Sequence, residues 1–224
     1  MRKIVTIDGP SGVGKGTVAQ ALARRHGWAY LDSGAVYRLA ALFLKRQNLS
    51  LAATATQVAA LQEMAVDFVM TETVVRVFLN GVAIDDVLRR EETGALASQL
   101  AVKPEIRAAL LDFQRNFAGD APLIADGRDM GTVVFPEAPL KIFLDATAEI
   151  RAERRYKQLI EKGEDVTLAA LKKEIAARDA RDRNRLVAPL KPASDAVLID
   201  TTDLSVQAVL EKIDALWQAH FFNF

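Results

Sequence analysis

Cysteine is absent from the 224 residues, which removes disulfides, thiolate metal sites and a sulfur nucleophile at once. A chain without thiols also fits a reducing compartment. Neither sign of charge is in excess: Lys+Arg and Asp+Glu each number 29, so the formal net charge is zero. Proteins that neutralise long stretches of nucleic acid carry a basic surplus, and none exists here. No apolar run approaches the ~18 residues that a membrane span needs. The opening MRKIVTIDG has only a short apolar stretch before Asp8, too brief for the hydrophobic region of a signal peptide. These exclusions lead to the expectation of a cytoplasmic protein with no nucleic-acid or membrane partner. No protein partner is inferred, and a monomer is expected. Histidine is scarce as well: His26 and His220 have no chemical partner legible in the sequence.

What is present is an ordinary globular composition, 50% hydrophobic and 26% charged. The length suits one domain, with or without a small inserted lobe. Lys3 to Asp8 is a short β-branched run ending at a glycine-rich turn, which reads as a buried strand. Lys15 to Arg25 has helical spacing, and Gly27 stops it. Further strands are expected at Trp28–Leu31, Leu123–Ala125, Leu140–Leu144 and Ala196–Ile199. Helical patterns separate several of these, so the fold class is α/β: a central parallel sheet between two layers of helices. The middle of the chain departs from this rhythm. Asn80-Gly81, between Val74–Leu79 and Val82–Ile84, signals a hairpin and hence a small antiparallel β lobe. Thr147 and Thr167 read as N-caps of two charged helices, the first closed by Gly163 and the second running to about Arg185.

The sharpest motif is Gly9-Pro10-Ser11-Gly12-Val13-Gly14-Lys15-Gly16-Thr17, directly after the first strand and directly before the first helix. That is the context a phosphate-cradling loop requires. Glycines let backbone amides curl toward phosphate oxygens, the helix N-terminus adds its own unpaired donors, and Lys15 supplies a point charge. Where the general motif has Ser or Thr after the lysine, this chain has Gly16, and the hydroxyl comes one residue later at Thr17. Any Mg²⁺ is therefore expected to be held mainly by phosphates and water, and no protein metal site is expected.

Two other segments reach the same rim, because ligands of open parallel sheets sit beyond the carboxyl ends of the strands. Asp32 to Arg38 (DSGAVYR) brings Ser33, Tyr37 and Arg38, a hydroxyl, a phenol and a guanidinium suited to phosphate. Ile124 to Gly131 (IADGRDMG) brings Arg128 for a phosphoryl group and Asp129 for an exocyclic base amine. Taken alone, the first segment reads better as a surface turn with an ordinary helix start, and the second reads equally as a solvated turn with a local ion pair. Arg178, Asp182 and Arg185 fall at i, i+4 and i+7, one face of a helix, where the bland alternative is a row of exposed ion pairs.

In their order and spacing, GPSGVGKGT, LDSGAVYR, IADGRDMGTVVFP and RDARDRNR resemble the bacterial cytidylate kinases, from Ile4 to about Asp200. The resemblance implies a P-loop kinase fold with a helical lid, ATP as phosphoryl donor, and CMP or dCMP as acceptor. It implies acceptor-phosphate contacts at Ser33, Tyr37, Arg38, Arg128 and Arg185. It also implies cytosine contacts at Ser98, Arg107 and Asp129, and ribose contacts at Arg178 and Asp182. Lys15, Arg128 and Arg185 form the expected catalytic set. One domain is expected over 1–224. Its core covers about 1–34, 108–150 and 186–224, its acceptor lobe about 35–107, and its lid about 151–168, with Arg151, Arg154, Arg155 and Lys157 as secondary phosphate ligands. Other acceptors (UMP, AMP or a small metabolite) and a slow ATP-hydrolysing switch remain as alternatives.

Overall fold

The computed structural model describes residues 3–49, 55–71, 75–88, 90–161 and 163–221. The chain opens with β1 (Ile4–Asp8), α1 (Lys15–His26), β2 (Ala29–Asp32) and α2 (Ser33–Arg46). Helix α3 (Ala55–Gln62) leads into β3 (Val66–Met70), β4 (Val75–Leu79) and β5 (Val82–Ala83). Three helices follow: α4 (Asp85–Leu88), α5 (Glu91–Leu100) and α6 (Pro104–Asn116). The chain then returns through β6 (Leu123–Gly127), a single π-helical turn at Met130–Val134, and β7 (Leu140–Asp145). Last come α7 (Ala148–Ile160), α8 (Leu168–Asn184), β8 (Val197–Asp200) and α9 (Val206–Phe221).

The main sheet has the order β2-β6-β1-β7-β8, with every pairing parallel. The continuous apolar runs of β1 and β6 arise because both strands are covered on both faces. Side chains of a strand alternate between faces, and each face has its own cluster. Val5, Ile7, Ile124, Ile142 and Leu144 pack with Val18 and Leu22 of α1 and with Val209, Ile213 and Trp217 of α9. Ile4, Leu123 and Ala125 turn the other way, toward Leu39 and Phe43 of α2, Leu100 of α5 and Ile106 of α6. Each such buried aliphatic contributes about 1.5–3 kcal/mol of transfer free energy. The expected three layers are therefore present, with a separate antiparallel sheet β3-β4-β5 beside them.

The hairpin forms where Asn80-Gly81 predicts it. Both residues have positive φ, 49° and 77°, the pair of values a two-residue type I′ turn needs. Val74 of the expected strand lies outside the described residues. The second strand begins at Ala29 rather than Trp28, because Trp28 joins an aromatic cluster at the opposite ends of the strands from the phosphate loop. There His26 stacks on Trp217 with ring centroids 3.7 Å apart, and Trp28 lies 4.0 Å from Trp217 and 5.4 Å from Phe221. His26 thus has a packing role, with Nε2 3.4 Å from Asp214 Oδ1. Phe222 and Phe224 lie outside the described residues.

Thr147 and Thr167 cap α7 and α8, accepting from the amides of Ile150 and Ala170. Gly163, at φ 77°, closes the first of these helices. The two helices are pinned by Arg151, 2% exposed, whose guanidinium engages both carboxylate oxygens of Asp179. Among the described residues no helix is long and apolar enough to cross a membrane.

Candidate active site

A cleft of about 380 Å³ opens at the carboxyl ends of β1, β2 and β6. Its floor is the glycine-rich loop. Gly9 lies so close to β7 that a Cβ there would sit 2.1 Å from the carbonyl oxygen of Leu144, so no other residue fits. Gly12 combines φ +78° with a neighbour, Arg151, 3.3 Å from a would-be Cβ. The loop ends in Gly14, left-handed, as the N-cap of α1. No side chain caps α1 and no acidic residue stands in its first turn, whereas α2, α7 and α8 are capped by Asp32, Thr147 and Thr167. The unpaired amides and positive end of α1 therefore face the cleft, the arrangement that attracts phosphate.

Lys15 lies on that floor, 6% exposed, with Nζ donating to the Pro10 carbonyl at 2.7 Å. Burial, followed by the nearby guanidinium of Arg128, pulls its pKa down to about 7. Two carboxylates flank it. Asp126, next to last in β6, accepts from the Tyr30 hydroxyl at 3.3 Å and is pushed up by burial against the pull of Lys15. Asp8 ends β1 and is pushed up to about 6 by the same desolvation. A Cβ at Gly16 would stand 3.4 Å from Asp126 Oδ2. The hydroxyl missing from position 16 thus has a carboxylate beside its place.

Guanidiniums converge from four parts of the chain. Arg38 of α2 lines the cleft and donates to the Leu88 carbonyl at 3.0 Å. Arg128 and Arg178 line it as well. Arg128 is oriented by Asp182, with Nε 2.9 Å from Oδ2. Burial pushes the Asp182 carboxyl up, but Arg128, Arg178 and Arg185 outweigh this and hold it below its ordinary value. Behind the cleft, Asp129 is 4% exposed and accepts from Arg107, itself 8% exposed. Arg185 Nη2 stands 3.8 Å from the other Asp129 oxygen. Arg107 also lies 6.0 Å over the Tyr37 ring, and burial raises the Tyr37 phenol to about 12, so it stays a neutral donor.

The sequence-predicted residues thus fall into two adjoining groups. Ser11, Gly12, Gly14, Lys15, Gly16, Thr17, Arg38, Arg128 and Arg178 line the cleft itself. Tyr37, Arg107, Asp129 and Arg185 form a buried network beside it, tied to it through Asp129, the neighbour of Arg128. Ser33 is buried at the first turn of α2, and Ser98 is half-buried on α5. The helix-face reading of Arg185 is corrected: α8 stops at Asn184, and Arg185 is extended, at φ −65° and ψ 138°. It reaches Asp129 from the chain beyond the helix, with its Nε donating to Ala188 O. Of the secondary arginines, only Arg155 lines the cleft. Arg151 is committed to Asp179 and the Ser11 carbonyl, and Arg154 to Thr201 and Thr202. The sequence reading missed Asp8, Asp126 and Asp32 as site groups. Their signal was a carboxylate at or next to the end of each of three neighbouring strands.

A phosphate loop, its lysine and a ring of guanidiniums across one cleft, on this sheet order, define a phosphoryl-transferring enzyme of the P-loop class. The family model described as cytidylate kinase matches residues 5–219, and the chain belongs to that family. A cytidylate kinase of Aeromonas hydrophila is 53% identical over 213 residues, 95% of this chain and 93% of the relative. That of Pseudomonas entomophila is 52% identical over 212 residues, 94% of this chain and 93% of the relative. Among solved structures, an uncharacterized protein from Eubacterium ventriosum shares the fold, with a TM-score of 0.52 at 13% identity over 98% of this chain and 99% of that one.

Proposed function

We propose that the protein transfers the γ-phosphoryl group of MgATP to the phosphate of CMP or dCMP. The observation that carries this reading is the meeting of Lys15, Arg38, Arg128 and Arg178 on one cleft, with the Arg107–Asp129 pair beside it. One half of the site suits a polyphosphate, the other a monophosphate with a base.

Residues Gly9 to Thr17 hold the donor phosphates, through backbone amides and Lys15. Ser33, Tyr37, Arg38, Arg128 and Arg185 hold the acceptor phosphate, with Arg178 and Asp182 at the ribose. Cytosine is read by Ser98, Arg107 and Asp129: the carboxylate accepts from the exocyclic amine and repels the carbonyl that uracil carries there. A buried polar pair of this kind discriminates strongly, because the wrong base leaves it unmatched.

The attacking oxygen belongs to a phosphate monoester with a second pKa near ~6, so it is ionised at neutral pH and needs no general base. The protein's task is to bring two anions into line and offset their repulsion. Lys15, Arg128 and Arg185 do this with preorganised charge. A lid within about 151–168 closes over the phosphates. Since Arg151 and Arg154 are both anchored, the part free to move starts beyond them, with Arg155 at its edge. Asp32, Asp126 and the Thr17 hydroxyl line the cleft with oxygen donors of the kind Mg²⁺ takes, and they would hold the ion through its waters, the phosphates supplying its direct ligands. When bound, the ion neutralises charge on the transferred phosphates.

A coupled assay of ADP release with each monophosphate in turn tests this reading. Strong stimulation by CMP and dCMP, with little by UMP or AMP, is expected. ADP release that no monophosphate accelerates would replace the kinase with a slow ATP-hydrolysing switch.

A further inference from the structure

We infer that Asp8 is a positioning residue for the acceptor: its carboxylate fixes the Arg128–Asp129 dipeptide against the phosphate loop. The inference rests on the CMP kinase reading for the roles of Arg128 and Asp129, and on geometry alone for the tether. Asp8 ends β1, pairs in register with Gly127, and is followed at once by Gly9. Its Oδ1 accepts from the amide of Met130 and its Oδ2 from the amide of Gly131, both at 2.8 Å. Between Gly127, paired with Asp8 in the sheet, and these two amides lie Arg128, facing the cleft, and Asp129, facing Arg107. A dipeptide clamped at both ends has little freedom to reorient. Donor loop and acceptor groups are thereby referred to one carboxylate.

Three further features support a built device. Asp8 is 4% exposed, a costly place for an ionisable group unless its two acceptors are used. The first amides of a helical turn have no acceptor within it, and the two carboxylate oxygens supply those that Met130 and Gly131 lack. The clamped amides begin a π-helical turn, Met130–Val134, a rare geometry that tends to occur at functional sites. The opposite side is equally confined: a Cβ on Gly131 would meet Thr6 Oγ1 at 2.9 Å.

Asp8→Asn replaces one acceptor with a donor that faces an amide N–H, so one anchor is lost. A charge-assisted hydrogen bond lost in the interior predicts a KM for CMP raised roughly 10- to 100-fold. The KM for ATP is expected to stay within about twofold. The CMP:UMP ratio of kcat/KM falls with it, since Asp129 is displaced. Gly131→Ala pushes the same amide from the other side and should give the same split, which covers the case in which Asp8→Asn does not fold. Ile7→Val, a buried neighbour on β1, is the control for simple loss of packing and should move neither KM. Equal change in both KM values, or an unchanged CMP KM in folded Asp8→Asn protein, overturns the inference. Amide hydrogen exchange at Met130 and Gly131 reads the tether without any turnover. Faster exchange in Asp8→Asn is expected and unchanged exchange refutes the clamp, so failure here is separable from failure of the CMP assay on the wild-type protein.

Discussion

Replacing Asp129 by Asn tests the base-reading pair most directly. The carboxylate and its partner Arg107 are 4% and 8% exposed, and Arg185 stands 3.8 Å away. Removing the negative charge leaves one buried guanidinium uncompensated and weakens the hold on a second. Breaking a buried pair in this way costs about 3–5 kcal/mol, a large part of the ~5–15 kcal/mol that stabilises a typical domain. Urea denaturation should therefore show a sharply lower midpoint. Replacing both partners by apolar residues, Arg107→Met with Asp129→Leu, removes both charges and should recover much of that loss. Function separates from stability. The amide can no longer offer a charged acceptor to the cytosine amine, a loss of about 1.5–3 kcal/mol or roughly 10- to 150-fold in kcat/KM for CMP. UMP, which the carboxylate repels, should lose far less or gain. Steady-state kinetics with both monophosphates, at a temperature where the variant is folded, give the ratio. A CMP:UMP ratio within about twofold of wild type, or a double variant less stable than the single, would refute the reasoning.

Lys15→Ala should lower phosphoryl transfer by roughly 10²–10³-fold or more while thermal unfolding shows the fold retained. The same lysine predicts a pH effect. With its folded pKa near 7 and an unfolded value near ~10.4, the unfolded chain binds more protons between those limits, so this group's contribution to stability rises with pH from about 7 upward, and Lys15→Met should flatten that limb. Asp8 acts in the opposite sense, favouring the folded state at low pH and losing that contribution as pH rises through about 6. Binding of metal-free ATP at pH 8, where the nucleotide's own phosphates are ionised, should draw a proton onto Lys15, measurable by calorimetry in buffers of different ionisation enthalpy; no buffer dependence would remove Lys15 from the phosphate contacts. Arg151→Met should lose about 3–5 kcal/mol through the stranded Asp179 and raise the KM for ATP through the freed Ser11 carbonyl. The KM for CMP should be unchanged, and a CMP effect would refute the assignment of Arg151 to the donor loop alone.

The sheet was legible because buried parallel strands are written as short β-branched runs. The hairpin was legible because two consecutive positive φ values leave few residue choices beyond Asn-Gly. The loop could be read because Gly9 answers a 2.1 Å approach that the sequence records as an obligatory glycine. The helices α3, α5 and α6 were not assigned, and their packing against α2 sets where Ser98 and Arg107 lie. Ion pairs across long sequence separations were also invisible. Arg151 looked like an exposed lid residue until Asp179, on the next helix, accounted for it. Arg185 kept helical spacing on paper and left the helix in space. The paired carboxylates near Lys15 carried a weak signal, an acid at or next to the end of each of three strands, that becomes interpretable only once the strands are side by side.

The aromatic cluster has a practical consequence. Both tryptophans of the chain, Trp28 and Trp217, sit within it, beside the His26 ring and away from the cleft. Intrinsic emission therefore reports on the seating of the carboxyl-terminal helix and on the imidazole stacked against Trp217. A titration with nucleotide followed by that signal would be nearly silent even at saturation, and an optical probe of turnover has to be introduced elsewhere, on the lobe or the closing segment.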